Sequence, residues 1–296
     1  MDPFSEGSGE LFSIQQAYYT GDYNQVLSLD ITGYNEKNKV AAQVLVERAK
    51  IRLGRAQEVV SELEGVDDVS LQAVKAYAQY TIGVGAKESG LEAVKQLVDK
   101  HGGDNSVVQY LGGLVYVLEG QDDEALQLLE KHEGSLECIS LIVQIHLLHN
   151  RVEKASQEIQ AAKKWAQDNI VFNLAEAWVD LRQDDDKYQD AYYIYQELTG
   201  GAPTAKSLVG QAVAHLQLGQ IPEAEQELSE ALQLEPHNKE ALSNSIACSI
   251  ITGKEYSDLE SNLEQVQKDH PSLVDVANKT TLFDKVLEKY SKQIPA

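Results

Sequence analysis

From Ala205 to Asn238 the chain reads AKSLVGQAVAHLQLGQIPEAEQELSEALQLEPHN, a string of 34 residues whose large and small apolar side chains recur at helical spacing on either side of a glycine. Leu208, Ala212 and His215 stand at its fourth, eighth and eleventh places, and Gly219 at its fifteenth. Ala224, Leu228, Ala231 and Pro236 stand at the twentieth, twenty-fourth, twenty-seventh and thirty-second. The pattern describes two antiparallel helices. Ala212 and Ala224 are small where the helices approach closely, and Leu208 and Leu228 fill the space beside them. Gly219 caps the first helix and Pro236 stops the second without needing an amide donor.

This spacing resembles the tetratricopeptide repeat, with Gln211 departing from the large apolar residue usual at the seventh place. The period recurs. Ser106 to His132 carries Gly120, Ala125 and Leu129 at the matching places, and Leu136 to Asn169 carries Asn150, Ala155, Ile159 and Ala162. Val171 to Pro203 follows with Leu174, Ala191, Tyr195 and Pro203, stretched by one residue in the turn Gln183–Lys187. Lys239 to His270 gives Leu242, Ile246 and Gly253, closed by Pro271. Before residue 106 the match is looser. Helical spacing begins at Leu11, breaks at Gly21 and resumes at Tyr23; further helices are expected over Lys37–Leu53, up to Leu63, Leu71–Ile82 and Leu91–Val98. A last helix, Thr281–Tyr290, is expected to cap the final repeat. The expected fold is an all-α, right-handed α-solenoid of tetratricopeptide-like helix pairs with a C-terminal capping helix. It occupies 11–291 as one domain, with a disordered N-terminus (1–10) and a flexible C-terminus (292–296).

Composition agrees with helices and narrows the partners. The 296 residues include only 6 prolines, with Ala, Leu, Gln and Glu prominent. A net charge of −22 argues against nucleic acid or an anionic membrane surface as the main partner. No run of about 18 apolar residues is present, so no bilayer span is expected. Cys138 and Cys248 both fall in expected helices and read as reduced, buried thiols of a cytoplasmic protein.

Few residues suggest chemistry. Gly83-Val84-Gly85 with Gly90 lacks the strand before it and the Gly-Lys-Ser/Thr that a phosphate loop requires. Asp184, Asp185, Asp186 and Asp190 outline a calcium loop, but Gln189 and Tyr195 stand where glycine and glutamate are needed. His146 and His215 occupy the eleventh place of their units, a packing position. No catalytic residue, metal ligand, cofactor or small-molecule substrate is expected.

The inner helices of stacked pairs line a concave face, mainly through places two, five, nine, twelve and thirteen. The ninth places carry Leu114, Gln144, Val179, Val213 and Ala247; the twelfth carry Val117, Leu147, Arg182, Leu216 and Ile250; Tyr110 stands at a fifth. Apart from Gln144 and Arg182 these side chains are aliphatic or aromatic, unlike the Lys, Arg and Asn with which such repeats clamp carboxylates. An apolar groove of this extent points to a constitutive polypeptide partner, and Tyr110, Leu114, Val117, Gln144, Leu147, Val179, Val213, Leu216, Ala247 and Ile250 are its candidate contacts.

Several strings, in order along nearly the whole chain, resemble one family. They are Glu10-Leu11-Phe12 with Ala17-Tyr18-Tyr19 and Gly21; Ser135-Leu136-Glu137-Cys138 with Val143-Gln144-Ile145; Ala177-Trp178-Val179; Gln189 through Glu197; and Phe283-Asp284 with Tyr290. Together they resemble the epsilon subunit of coatomer, the COPI vesicle coat. The resemblance implies a non-enzymatic coat subunit that wraps the C-terminal region of the alpha subunit and associates with other coatomer subunits. It also implies a cytoplasmic location, peripheral on Golgi membranes and COPI-coated vesicles, in retrograde Golgi-to-endoplasmic-reticulum and intra-Golgi transport. Two rivals are a repeat adaptor or chaperone cofactor that takes another protein's C-terminal segment, and a helical subunit of a lipid or peptide transferase. The first lacks its basic clamp here, and the second lacks a clustered acid–base or metal site.

Overall fold

Seven of the helices that open a pair are started by the same device. A side-chain oxygen just ahead of it accepts from a backbone N–H of the opening turn, satisfying donors that have no partner inside the helix. Asn35, Asp68, Asn105, Ser135, Asn169, Thr204 and Asn238 all do this. At Thr204 the bond is reciprocated by the Ser207 hydroxyl, completing a capping box. The ends are equally regular. Gly120 and Gly219 adopt φ of 74° and 73°, and Asn150 takes the same role at 56°. Behind Gly219, the Gln220 amide donates to the His215 carbonyl at 2.9 Å, closing the helix end.

The computed structural model describes residues 9–166, 168–199 and 202–291, and among them every regular element is a helix. Residues 1–8 of the expected disordered N-terminus and the expected flexible segment 292–296 lie outside the described residues. The helices are α1 (Gly9–Thr20), α2 (Tyr23–Ser28), α3 (Glu36–Arg52), α4 (Ala56–Glu62), α5 (Val69–Ile82) and α6 (Lys87–His101). They continue as α7 (Ser106–Leu118), α8 (Asp122–Leu129), α9 (Leu136–Leu148), α10 (Val152–Ala166), α11 (Ile170–Asp180) and α12 (Asp185–Thr199). The remainder are α13 (Ala205–Gln217), α14 (Ile221–Leu234), α15 (Lys239–Thr252), α16 (Ser257–Val266) and α17 (Pro271–Ser291). The chain divides into two compact units, Met1–Gly201 with α1–α12 and Ala202–Ala296 with α13–α17.

In the first unit, successive odd-numbered helices pack side by side, and most even-numbered helices pack on the odd-numbered helix before them. The looser early repeats reflect short second helices: α2 has 6 residues and α4 has 7. Leu11, Ile14, Val26, Val44, Leu45 and Leu111 are buried together, each contributing about 1.5–3 kcal/mol by burial. α1 is tied to the start of α3 by the Glu10 carboxylate, which accepts from the side-chain amides of Asn35 and Asn38 at 2.8 and 2.7 Å. Glycine permits a close approach of α6 to α5 in this unit. A Cβ on Gly90 of α6 would lie 2.3 Å from the Tyr80 backbone nitrogen of α5.

In the second unit, α13 and α14 form the pair read from Ala205 to Asn238. Ala212, Ala224, Leu228 and Ala231 are all at most 1% exposed. α15 and α16 repeat the pair with Leu242, Cys248 and Leu263 buried. α17 departs from expectation. It is longer than Thr281–Tyr290 and none of its residues is buried. Its first turn is held to α15 by Ser272 and Ser243, whose hydroxyls lie 2.9 Å apart. Its apolar face, expected to cover the final repeat, is exposed instead.

Candidate partner-binding site

Four inner helices of the first unit meet around one charge pair. Arg48 of α3 and Glu137, at the second place of the unit beginning at α9, form a bidentate ion pair at 3.1 and 2.7 Å with both side chains 4% exposed. The Arg48 guanidinium lies 4.9 Å from the Tyr18 ring centroid of α1 and 4.8 Å from that of Tyr110 of α7. Burial opposes the charge on Arg48, but Glu137 and the tyrosines outweigh it and hold its pKa above the usual guanidinium value. Burial pushes Tyr18 up to about 12, against the pull of Arg48. α1 also reaches α11 within this unit. Helices α1, α3, α7 and α9 thus converge on one aromatic-walled charge pair.

This arrangement changes the meaning of several candidate contacts. Tyr110, Leu114 and Val117 are half-buried and pack against Ala125, Leu129, Cys138, Leu141, Ile142 and Ile145. Val179 is only 2% exposed and is a core residue, because α11 is packed against neighbouring helices on the side that carries it. It therefore offers a partner no surface. Gln144 and Leu147 of α9 are half-buried. Arg182 is exposed and donates to the Asn150 side-chain oxygen at 3.0 Å.

The second unit differs. Val213 and Leu216 of α13 and Ala247 of α15 are half-buried, Leu216 packing on the α13–α14 core. Ile250 is 55% exposed. Its neighbour Ile251, which place-by-place reading passed over, is 63% exposed. Exposed aliphatic side chains thus stand at the end of α15, as Leu118 of α7 and Leu148 of α9 do at the matching places of the first unit, 55% and 72% exposed.

The histidines at the eleventh places are buried, His146 at 7% and His215 at 8%. His215 Nδ1 lies 2.8 Å from Glu227 of α14 and ties the pair together. Burial lowers the pKa of His146 and leaves its Nδ1 without a hydrogen-bond partner. Gly83 and Gly85 both have positive φ in a loop whose tip, Val84, is fully exposed, whereas Gly90 serves helix packing. In the aspartate run, Lys187 pairs with Asp190 at 2.8 Å. Cys138 and Cys248 are both buried thiols. Among the described residues no group of His, Cys, Asp and Glu could hold a metal ion, and no helix is long and apolar enough to cross a membrane.

Comparison with known proteins connects this arrangement to a family. The family model of the coatomer epsilon subunit matches residues 7–291. The chain is 33% identical over 238 residues to the "Probable coatomer subunit epsilon" of Schizosaccharomyces pombe, covering 80% of this chain and 79% of that protein. It is 31% identical over 277 residues to "Coatomer subunit epsilon-2" of Arabidopsis thaliana, covering 92% of each. Among solved structures it is similar to the APC/C hetero-tetramer Cut9-Hcn1, with a TM-score of 0.63 at 11% identity over 91% of this chain and 54% of that one. A tetratricopeptide repeat protein from Parabacteroides merdae aligns with a TM-score of 0.52 at 16% identity, over 82% of this chain and 98% of that one. These two likenesses concern the fold alone: an all-α solenoid of helix pairs.

Proposed function

The chain belongs to the coatomer epsilon-subunit family, which makes it a COPI coat subunit acting in vesicle-mediated transport, and we propose that it does so as a non-enzymatic clamp on the C-terminal region of the alpha subunit. Its clamping surface is the apolar set Val213, Leu216, Ala247 and Ile250, extended by Ile251. One observation carries this reading: the only candidate contact more than half exposed with an aliphatic side chain, Ile250 at 55%, lies on α15 beside Ile251 at 63%. In the first unit Tyr110, Leu114, Val117 and Val179 meet the unit's own side chains, while Leu118 and Leu148, at the places corresponding to Ile251, are 55% and 72% exposed. Aliphatic residues with that much free surface lose it favourably to an apolar segment, and a permanent contact of this type would bury more than about 2,000 Å² in total. The subunit then works in the cytoplasm on the surface of Golgi membranes and COPI-coated vesicles. It serves retrograde transport to the endoplasmic reticulum and transport within the Golgi.

The test is capture of the C-terminal region of the alpha subunit by purified chain carrying Val213→Asp and Ile250→Asp. Capture should fail while the helical circular dichroism is retained. Undiminished capture would reject α13 and α15 as the clamp.

A further inference from the structure

Among the described residues nothing covers the apolar face of α17. Val276, Phe283, Leu287 and Tyr290 are 55%, 65%, 54% and 49% exposed, and Val286 at 45% widens the same side. A lone helix of this length is marginal in water, and its stability comes from burying such a face. The spacing shows what kind of cover fits. Leu273, Val276, Thr280, Phe283, Leu287 and Tyr290 alternate three and four residues apart, the seam of a heptad repeat. In a parallel pair of such helices, the residue just before one seam position faces the residue five further along the other helix. That rule sets Lys279 of one helix against Asp284 of the other, and the reciprocal pair on the opposite flank. An antiparallel pair would instead set like flanks against each other, so that Lys279 would not meet Asp284. Among the described residues Lys279 pairs with Asp275 one turn back, with side chains 73% and 59% exposed, a solvated pair that can be shared. The helix also suits self-association electrostatically. Its three lysines, Lys279, Lys285 and Lys289, balance Asp275, Asp284 and Glu288, whereas the chain as a whole carries −22. Two copies brought together here meet at a neutral element.

We propose that α17 is a self-association helix that pairs in parallel with α17 of a second copy of this chain through the Leu273–Tyr290 seam, with Lys279–Asp284 pairs on both flanks. The surface is separate from α13 and α15, so this pairing stands or falls independently of the alpha-subunit reading. The experiment is sedimentation equilibrium of the purified full chain over a wide concentration range, in low salt. The expected mass rises from 32.7 kDa toward twice that value at high concentration. Leu287→Asp should hold the mass at the monomer value with unchanged circular dichroism, since Leu287 is not part of the folded core. Lys279→Glu should weaken the dimer about fivefold, two flank pairs being lost, and adding Asp284→Lys should restore it. A mass that stays at the monomer value at every concentration would overturn the proposal and leave the face to another polypeptide. So would a dimer insensitive to Leu287→Asp, or one that Lys279→Glu leaves unchanged.

Discussion

Arg48 and Glu137 stand 89 positions apart in the chain and form a buried, doubly hydrogen-bonded ion pair that joins α3 to α9. Tyr18 and Tyr110 cover the guanidinium. A charge pair this far from water gains little over a well-packed apolar pair, but losing one member strands the other. Arg48→Met should therefore cost about 3–5 kcal/mol in chemical denaturation. Arg48→Met combined with Glu137→Leu should recover more than half of that loss. A double variant as unstable as the sum of the two singles would show that the pair is not acting as a unit.

Gly90 should tolerate no side chain. Its Cβ would meet Tyr80 backbone atoms at 2.3 and 2.7 Å, and backbone cannot move aside as a side chain can. Gly90→Ala should lower stability by about 2 kcal/mol or more through separation of α5 and α6. At Gly103 a Cβ would have nothing within 4 Å, and Gly103→Ala should change stability by less than about 0.5 kcal/mol. Equal effects at the two sites would contradict the close approach.

Asp180, at the end of α11 and 7% exposed, should make the protein less stable as the solution becomes less acidic. Burial, with Glu176 and Asp190 nearby, outweighs Lys187 and Lys163 and raises its carboxyl from 3.8 to about 6. The folded chain holds this proton more tightly than the unfolded chain. The contribution to stability is thus complete below pH 3.8 and is lost as pH rises through about 6. Asp180→Asn should be more stable than the parent at pH 7 by on the order of 2 kcal/mol, and the advantage should vanish near pH 4. Denaturant midpoints across that range decide it; an advantage independent of pH would refute the cause.

Asn150 tests the turn between α9 and α10. It holds φ of 56° and its side-chain oxygen accepts from Arg182. Asn150→Ala should cost about 1 kcal/mol, whereas Asn150→Gly should be close to neutral in thermal unfolding. Equal costs would place the effect in the hydrogen bond to Arg182 and not in the backbone.

Local information carried most of the fold. The 34-residue spacing around Gly219, Ala212 and Ala224 located α13 and α14, because a helix pair satisfies its small-residue and stop requirements within itself. The caps at Asn105, Ser135 and Asn169, which the repeat spacing did not single out, also act within their own turns. What lay out of reach was the meeting of elements distant in sequence. Glu137 stands at a groove position, yet nothing beside it shows that Arg48 comes across from α3 to cover it. Val179 reads as a groove residue by its place and proves to be core, since burial depends on what packs from outside its repeat. Thr281–Tyr290 reads as a cap by its apolar spacing, but spacing alone does not say which surface meets that face.

The most direct measurement is amide hydrogen exchange of the full chain, alone and bound to the C-terminal region of the alpha subunit. Exchange in Ala212–Gln217 and Ile246–Thr252 should slow by about tenfold or more on binding, a protection of at least about 1.4 kcal/mol, while Tyr110–Val117 should not change. Protection confined to Tyr110–Val117, with α13 and α15 unaffected, would contradict the assignment of the partner to the second unit.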